Sequence, residues 1–207
     1  MIAPAPWADC RRVTRSAGIA AGLEVLCDSL APGGLPCGPR GHAVVPARRA
    51  EAAGGGPVFA RDLLEAEGVV ALRPSGAGFP ADSRWVTALA WLRLGASEAL
   101  TDDCLAYLGS RTAGGEPLLD RQLVAGQLAD ALIEQLEAGA VLEGAAPETL
   151  GPGGLRLVHG QLTTTDRLLL RLLGAAGFRT DGPGRRALLS ELLADAYLDR
   201  NAEEDRM

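Results

Sequence analysis

LAYLGSRTAGGEPLLDRQLVAGQLADALIEQLE, residues 105–137, decides the fold. It reads as the end of one helix, a glycine-broken turn and a long second helix. Upstream, Asp82 or Ser83 can cap the first of these, running to about Leu108. Its Val86, Leu89, Ala90, Leu94, Ser97, Leu100, Cys104 and Leu108 recur with a period near 3.6. Glu116-Pro117 opens the second, because proline's missing N–H costs nothing in a first turn. That helix continues to about Val141, with Leu119, Leu123, Leu128, Leu132 and Leu136 along it.

Downstream, EGAAPETLGPGG is a connection. A third helix follows from about Leu155 to Leu173, with a bend at Gly160 and stop signals at Gly174 and Gly177. A fourth runs from Pro183 to about Leu198, followed by the polar tail NAEEDRM. Four consecutive amphipathic helices joined by short turns predict an antiparallel four-helix bundle over residues 81–207.

Residues 1–80 read as an irregular α+β region before it. Residues 1–15 are Pro-rich, then Arg-rich, and are expected to be frayed or lightly packed. Ser16 caps a helix to Leu30, with Ile19, Leu23, Leu26 and Leu30 on one face. APGGLPCGPRG (31–41) is expected to hold no regular structure. HAVVPA and GVVALRP read as strands, and Val58–Glu67 as a short helix.

Composition agrees with a mainly helical chain. Apolar residues make up 47% and aromatic residues only 4%, so the core is Leu, Ala and Val. All 20 of the strongly basic residues are Arg, and the net charge of −6 opposes a phosphate-binding surface, so no nucleic-acid partner is expected. Cys10, Cys27, Cys37 and Cys104 form no CxxC pair, and His42 and His159 lie far apart, so no metal site is expected. No basic segment followed by an apolar run opens the chain, and no stretch approaches the roughly 20 apolar residues of a membrane span. A cytoplasmic protein without a membrane partner is the expectation.

SRTAGGEPLLDRQLVAGQLADALIEQLEA resembles the acyl-CoA dehydrogenase motif R-x-x-F-G-x-P-L-x-x-x-Q-x-V-x-x-x-L-A-D-M-x-x-x-x-E-A. Arg111, Gly115, Pro117, Leu118, Gln122, Val124, Leu128, Ala129, Asp130, Glu137 and Ala138 match it. LLGAAGFRTDGPGRRALL is similar to the family's L-x-G-G-x-G-[YF] segment through Leu173, Gly174, Gly177, Phe178, Pro183 and Arg186. PSGAGF (74–79) resembles the turn leading into the bundle. The resemblance spans about residues 70–192 and implies the family's C-terminal helical-bundle domain.

The departures bear on function. The family's catalytic glutamate, which lies after the last helix or at the start of the bundle's first helix, has no counterpart; Asp82 is the nearest acid at the second position. Gly114 stands where the family has an aromatic residue, and Arg171 where it has Gln. Residues 1–70 are too short for the family's N-terminal helical and middle β-domains, so most of the flavin pocket is expected to be missing. The resemblance assigns cofactor contact to Arg111, Gly174 and Gly177, with FAD shared with a partner subunit and none retained by the isolated chain; no catalytic residue is assigned.

For each candidate an ordinary role competes. Arg111 is equally a surface residue complementing a helix C-terminus, and the two glycines are plain caps. Asp130 is expected to be buried beside an Arg, Asp166 and Arg167 to serve a cap or ion pair, and Glu98, Asp102 and Asp103 to form a solvated face. Trp85, Trp91 and Phe178 are expected in the core or an interface. Two functions stay open. One is a partner subunit of a flavin-dependent acyl-thioester oxidoreductase, pairing with a larger acyl-CoA dehydrogenase-like protein. The other is a cofactor-independent cyclase, isomerase or dehydratase acting on a hydrophobic or thioester-tethered intermediate in specialised metabolism. A homo-oligomer is expected in both, since the family's bundles pack together.

Overall fold

The computed structural model describes residues 7–53, 64–76, 78–144, 147–179 and 182–198. Most of the Val58–Glu67 helix expected above and the whole tail NAEEDRM lie outside these residues. Helices α1 (Trp7–Ala17) and α2 (Ile19–Leu30) come first. Strands β1 (Leu35–Cys37) and β2 (Ala43–Pro46), helix α3 (Ala47–Ala53) and strands β3 (Val69–Leu72) and β4 (Gly78–Pro80) follow. The bundle is α4 (Ser83–Gly109), α5 (Gln122–Gly144), α6 (Pro147–Leu173) and α7 (Gly184–Tyr197).

The mainly α architecture and the bundle are as expected. Asp82 caps α4 by accepting a hydrogen bond from the Trp85 N–H at 2.9 Å. β2 and β3, the expected strands, pair antiparallel from Ala43↔Leu72 to Pro46↔Val69. Their β-branched residues fill the pleat, and Ala43, Val45 and Leu72 form a small core of their own with Leu35.

Of the segment expected to be frayed, residues 7–15 are helical instead, and residues 1–6 lie outside the described residues. α1 buries Trp7, Cys10 and Thr14 against the bundle. Ser16 caps nothing; its hydroxyl donates back to the Arg12 and Val13 carbonyls inside α1. The break between α1 and α2 falls at Gly18, whose φ of 91° suits glycine. The stretch 31–41 also contains structure, because β1 pairs in parallel with β4.

α4 is the hub. Its expected face is buried, and so is the opposite one through Ala88, Trp91 and Leu92. α1 and α2 cover that second face, so one continuous core runs from Trp7 to Tyr197. Each fully buried Leu or Ile there contributes about 1.5–3 kcal/mol. Arg11 of α1 fixes the seam by reaching Glu98 of α4 at 2.5–3.2 Å.

Small residues set how closely α1 approaches. A methyl group on Gly95 would lie 2.3 Å from the Arg11 carbonyl oxygen. Gly95→Ala is therefore expected to cost about 1–3 kcal/mol through displacement of α1. Gly126→Ala on the open face of α5, where a Cβ meets nothing, is expected to add about 0.4–1 kcal/mol. Urea unfolding of the two variants checks the opposite signs.

α5 begins six residues later than the sequence suggests. Glu116–Pro117 instead pairs with Thr112–Ala113 as a short hairpin, followed by a 3₁₀ turn over Leu118–Asp120. The inward seam of α5 is Leu128, Ala131, Gln135, Ala138 and Leu142, not the expected leucine stripe. Leu119 is half-buried, and Leu123, Leu132 and Leu136 face out. The reason is close approach: Ala and Gly139 let α5 sit against Leu94 of α4, so the larger leucines point away. Asp130, expected to be buried, lies on the exposed side.

α6 contains a non-helical residue at Gly151, immediately before Pro152. Its bend falls there and not at Gly160, because proline cannot continue the preceding turn and pre-sets the next one.

Candidate functional site

The bundle core carries a chain of buried polar side chains. Arg93 of α4 is fully buried. Its Nε donates to Ser190 Oγ of α7 at 3.0 Å, Nη1 to the His159 carbonyl and Nδ1 of α6 at 3.0 Å each, and Nη2 to Thr163 Oγ1 at 2.8 Å. A guanidinium has no acceptor, so His159 Nδ1 accepts and Nε2 carries the proton, donating to the Val86 carbonyl at 3.1 Å. Burial first, and then the Arg93 charge, push the imidazole down to about 3. His159 is thus a neutral, fixed strut.

Asp166 of α6 lies beside this chain. Ser190 Oγ donates to its Oδ2 at 3.5 Å, while Oδ1 is buried without a hydrogen-bond partner among the described residues. Burial raises the carboxyl to about 6, against the lowering effects of Ser97, Arg93 and Ser190. Burial likewise lowers Arg93 to about 10, so it stays charged at neutral pH. Gln135 of α5 extends the polar line by donating to Ser97 Oγ and Thr101 Oγ1, each at 2.9 Å. All four bundle helices are tied through their centre.

A cavity of about 630 Å³ opens between α6 and α7. Asp166 and Thr163 form part of its wall, with Leu170, Phe178, Ala187 and Leu188 as the apolar lining. Arg167, Arg171, Arg179 and Arg185 also line it. An acid that holds a proton up to about pH 6, beside apolar walls, is able to exchange a proton with a bound molecule.

The residues picked from sequence fall elsewhere or in other roles. Arg111 is exposed beyond the end of α4, stacked on the Tyr107 ring at 4.5 Å. Gly174, at φ 55°, ends α6, and Gly177 is buried at the cavity edge, within the 3₁₀ turn Gly174–Phe178. Arg111 does not line the cavity with Gly177. Asp166 is not a cap but a buried acid that interacts electrostatically with Arg93, whereas Arg167 does pair with Glu191. Glu98, Asp102 and Asp103 are not a free solvated face: they hold Arg11, Arg15 and Arg186. Phe178 is exposed, while Trp85 and Trp91 are core residues.

Arg93 and His159 were not legible as partners. Arg93 sits in the apolar run ALAWLRLGA, a local signal for a buried charge, but its partner is 66 residues away.

Tested against FAD, Arg111 and the Gly174 turn are residue types that suit a diphosphate, but Arg111 does not share the cavity with Gly177. Arg111 offers an exposed fork and the α6 end a glycine turn, but the strands among the described residues form three two-stranded ladders. No wall for an isoalloxazine ring is built from them.

Fold and core together define a helical bundle of the acyl-CoA dehydrogenase C-terminal type. Residues 82–150, α4 through the connection after α5, match the family model described as acyl-CoA dehydrogenase, C-terminal domain. The chain's fold is similar to butyryl-CoA dehydrogenase from Megasphaera elsdenii (TM-score 0.52, 17% identity, 66% of this chain and 42% of that one). It is similar to a glutaryl-CoA dehydrogenase from Mycobacterium smegmatis in complex with FADH2 (0.53, 18%, 68% and 43%). The ChsE4-ChsE5 complex from Mycobacterium tuberculosis is a further match (0.51, 19%, 75% and 44%). The matched part thus spans less than half of each of these proteins. No curated protein matches the sequence. Among the described residues no helix is long and apolar enough to cross a membrane.

Proposed function

We propose that this chain is a partner subunit of a flavin-dependent acyl-thioester oxidoreductase in the cytoplasm, docked through the outer face of α5. The observation that carries this reading is a set of exposed apolar residues on α5: Leu132, Ile133 and Leu136, three and four apart on one side, with Leu123 and Val141 at its flank, and Leu157 exposed on α6. Leu123 and Leu136 are 75% and 69% exposed, which an isolated bundle has no reason to maintain. The covering surface is a copy of this chain or a larger acyl-CoA dehydrogenase-like subunit that holds most of the flavin. The similarity to ChsE4-ChsE5, whose name describes a complex of two components, supports a two-component assembly. Arg111, Gly174 and Gly177 would then meet the diphosphate of the partner's FAD, an Arg fork being suited to phosphate oxygens.

Leu132→Glu/Leu136→Glu tests this. Isolated from its source under native conditions, the wild-type chain is expected to bring down a larger, yellow subunit or to sediment as an oligomer. The double variant is expected to be colourless and monomeric with unchanged helicity. Recombinant wild type incubated with FAD and gel-filtered is expected to come out colourless. A monomeric wild type, or one that keeps flavin alone, overturns the reading.

The α6–α7 cavity favours a second reading, a cofactor-independent cyclase, isomerase or dehydratase in specialised metabolism. Asp166 would there exchange a proton with a hydrophobic or thioester-tethered intermediate.

A further inference from the structure

We propose that the α6–α7 cavity is a binding site for an amphipathic anion, its apolar body between the two helices and its acidic head at Arg171. The volume of about 630 Å³ falls within the roughly 300–1,000 Å³ of small-molecule sites. Leu170, Phe178, Ala187 and Leu188 offer the body an apolar slot. Phe178 and Leu188 are 74% and 52% exposed, so an occupant would remove apolar surface from water at both.

The charge at the cavity selects the head group. Four arginines line it against two acids, Asp166 and Glu191. Arg167 is paired with Glu191 and Arg185 with Glu67 at 2.7 Å. Arg171 makes no hydrogen bond or ion pair among the described residues, so its guanidinium is available. A carboxylate or phosphate monoester can take its fork in bidentate fashion, whereas an ammonium head would be repelled by the Arg171 guanidinium.

The proposal concerns binding and uses the cavity on which the second reading rests; binding without turnover would end that reading and leave this one intact. Isothermal titration of the full chain with octanoate, octyl phosphate and octylammonium tests it. One equivalent of octanoate or octyl phosphate is expected to bind, and octylammonium at least about tenfold more weakly. Arg171→Glu is expected to weaken the anion at least about tenfold. Leu188→Glu, at a half-exposed position that leaves the fold intact, is expected to abolish binding. Leu136→Glu on α5 is expected to leave it unchanged. No binding, equal binding of octylammonium, or loss with Leu136→Glu and not Leu188→Glu would overturn the site.

Discussion

Replacing Arg93 by methionine is expected to lower the stability of this protein by about 3–5 kcal/mol. Methionine fits the space of the aliphatic stem, so lost packing is not the main cause. The cost is electrostatic: Ser190, Thr163, the His159 carbonyl and His159 Nδ1 all lose their donor, and Asp166 loses its nearby positive charge. In a domain whose total stability is about 5–15 kcal/mol, that is a large fraction, and Tm is expected to fall by on the order of 10 °C. Arg93→Met combined with Asp166→Leu is expected to recover part of the loss, since removing both members of a buried pair leaves no stranded charge. Circular-dichroism melts and urea unfolding of the single and double variants measure this. A loss in the double variant equal to the sum of the Arg93→Met and Asp166→Leu losses would show that Arg93 and Asp166 are not coupled.

Asp166→Asn is expected to expose a pH dependence that the wild type conceals. The Asp166 carboxyl rises from 3.8 to about 6 on folding. Between those values the folded state binds a proton that the unfolded state has released, so this group contributes stability at low pH and loses it as pH rises towards 6. His159 falls from 6.5 to about 3. Between those values the unfolded state holds the extra proton, so its contribution is present above 6.5 and is lost as pH falls. Each slope is about 1.4 kcal/mol per pH unit, and between pH 4 and 6 they oppose each other. The Asn variant keeps only the His159 slope and is expected to lose about 3 kcal/mol relative to wild type over that window. His159→Gln is expected to show the reverse tilt. Urea titrations at half-unit pH steps decide it, and parallel curves for wild type and Asp166→Asn would contradict the assignment.

The two variants probe what the sequence left unread. The long helices were legible because their signals are local: Asp82 as cap, apolar residues at 3.6 spacing, and Gly174 as stop. The strands β2 and β3 were legible because Val-Val pairs between turn residues fit a pleated ladder. The resemblance in 111–138 was legible because its residues fall close together along the chain, and the match over residues 82–150 bears it out.

Phase within α5 was not legible. Leucine count marks the most apolar stripe, while burial followed Ala131, Ala138 and Gly139, which permit close approach to α4. α1 was misread for a related reason. Its arginines look like a solvated tail until Glu98 and Asp102 of α4 are placed opposite them.

By itself, the sequence determined the presence of the long helices, the bundle and its resemblance over residues 82–150, all properties of contiguous residues and their periodicity. Only the tertiary structure decided which faces meet, and so it alone produced the Arg93–His159–Asp166 core and the α6–α7 cavity. Arg93 meets His159 66 residues away and Ser190 97 residues away. The altered proton affinities of Arg93, His159 and Asp166 arise from burial and mutual charge, quantities that do not exist until the helices pack.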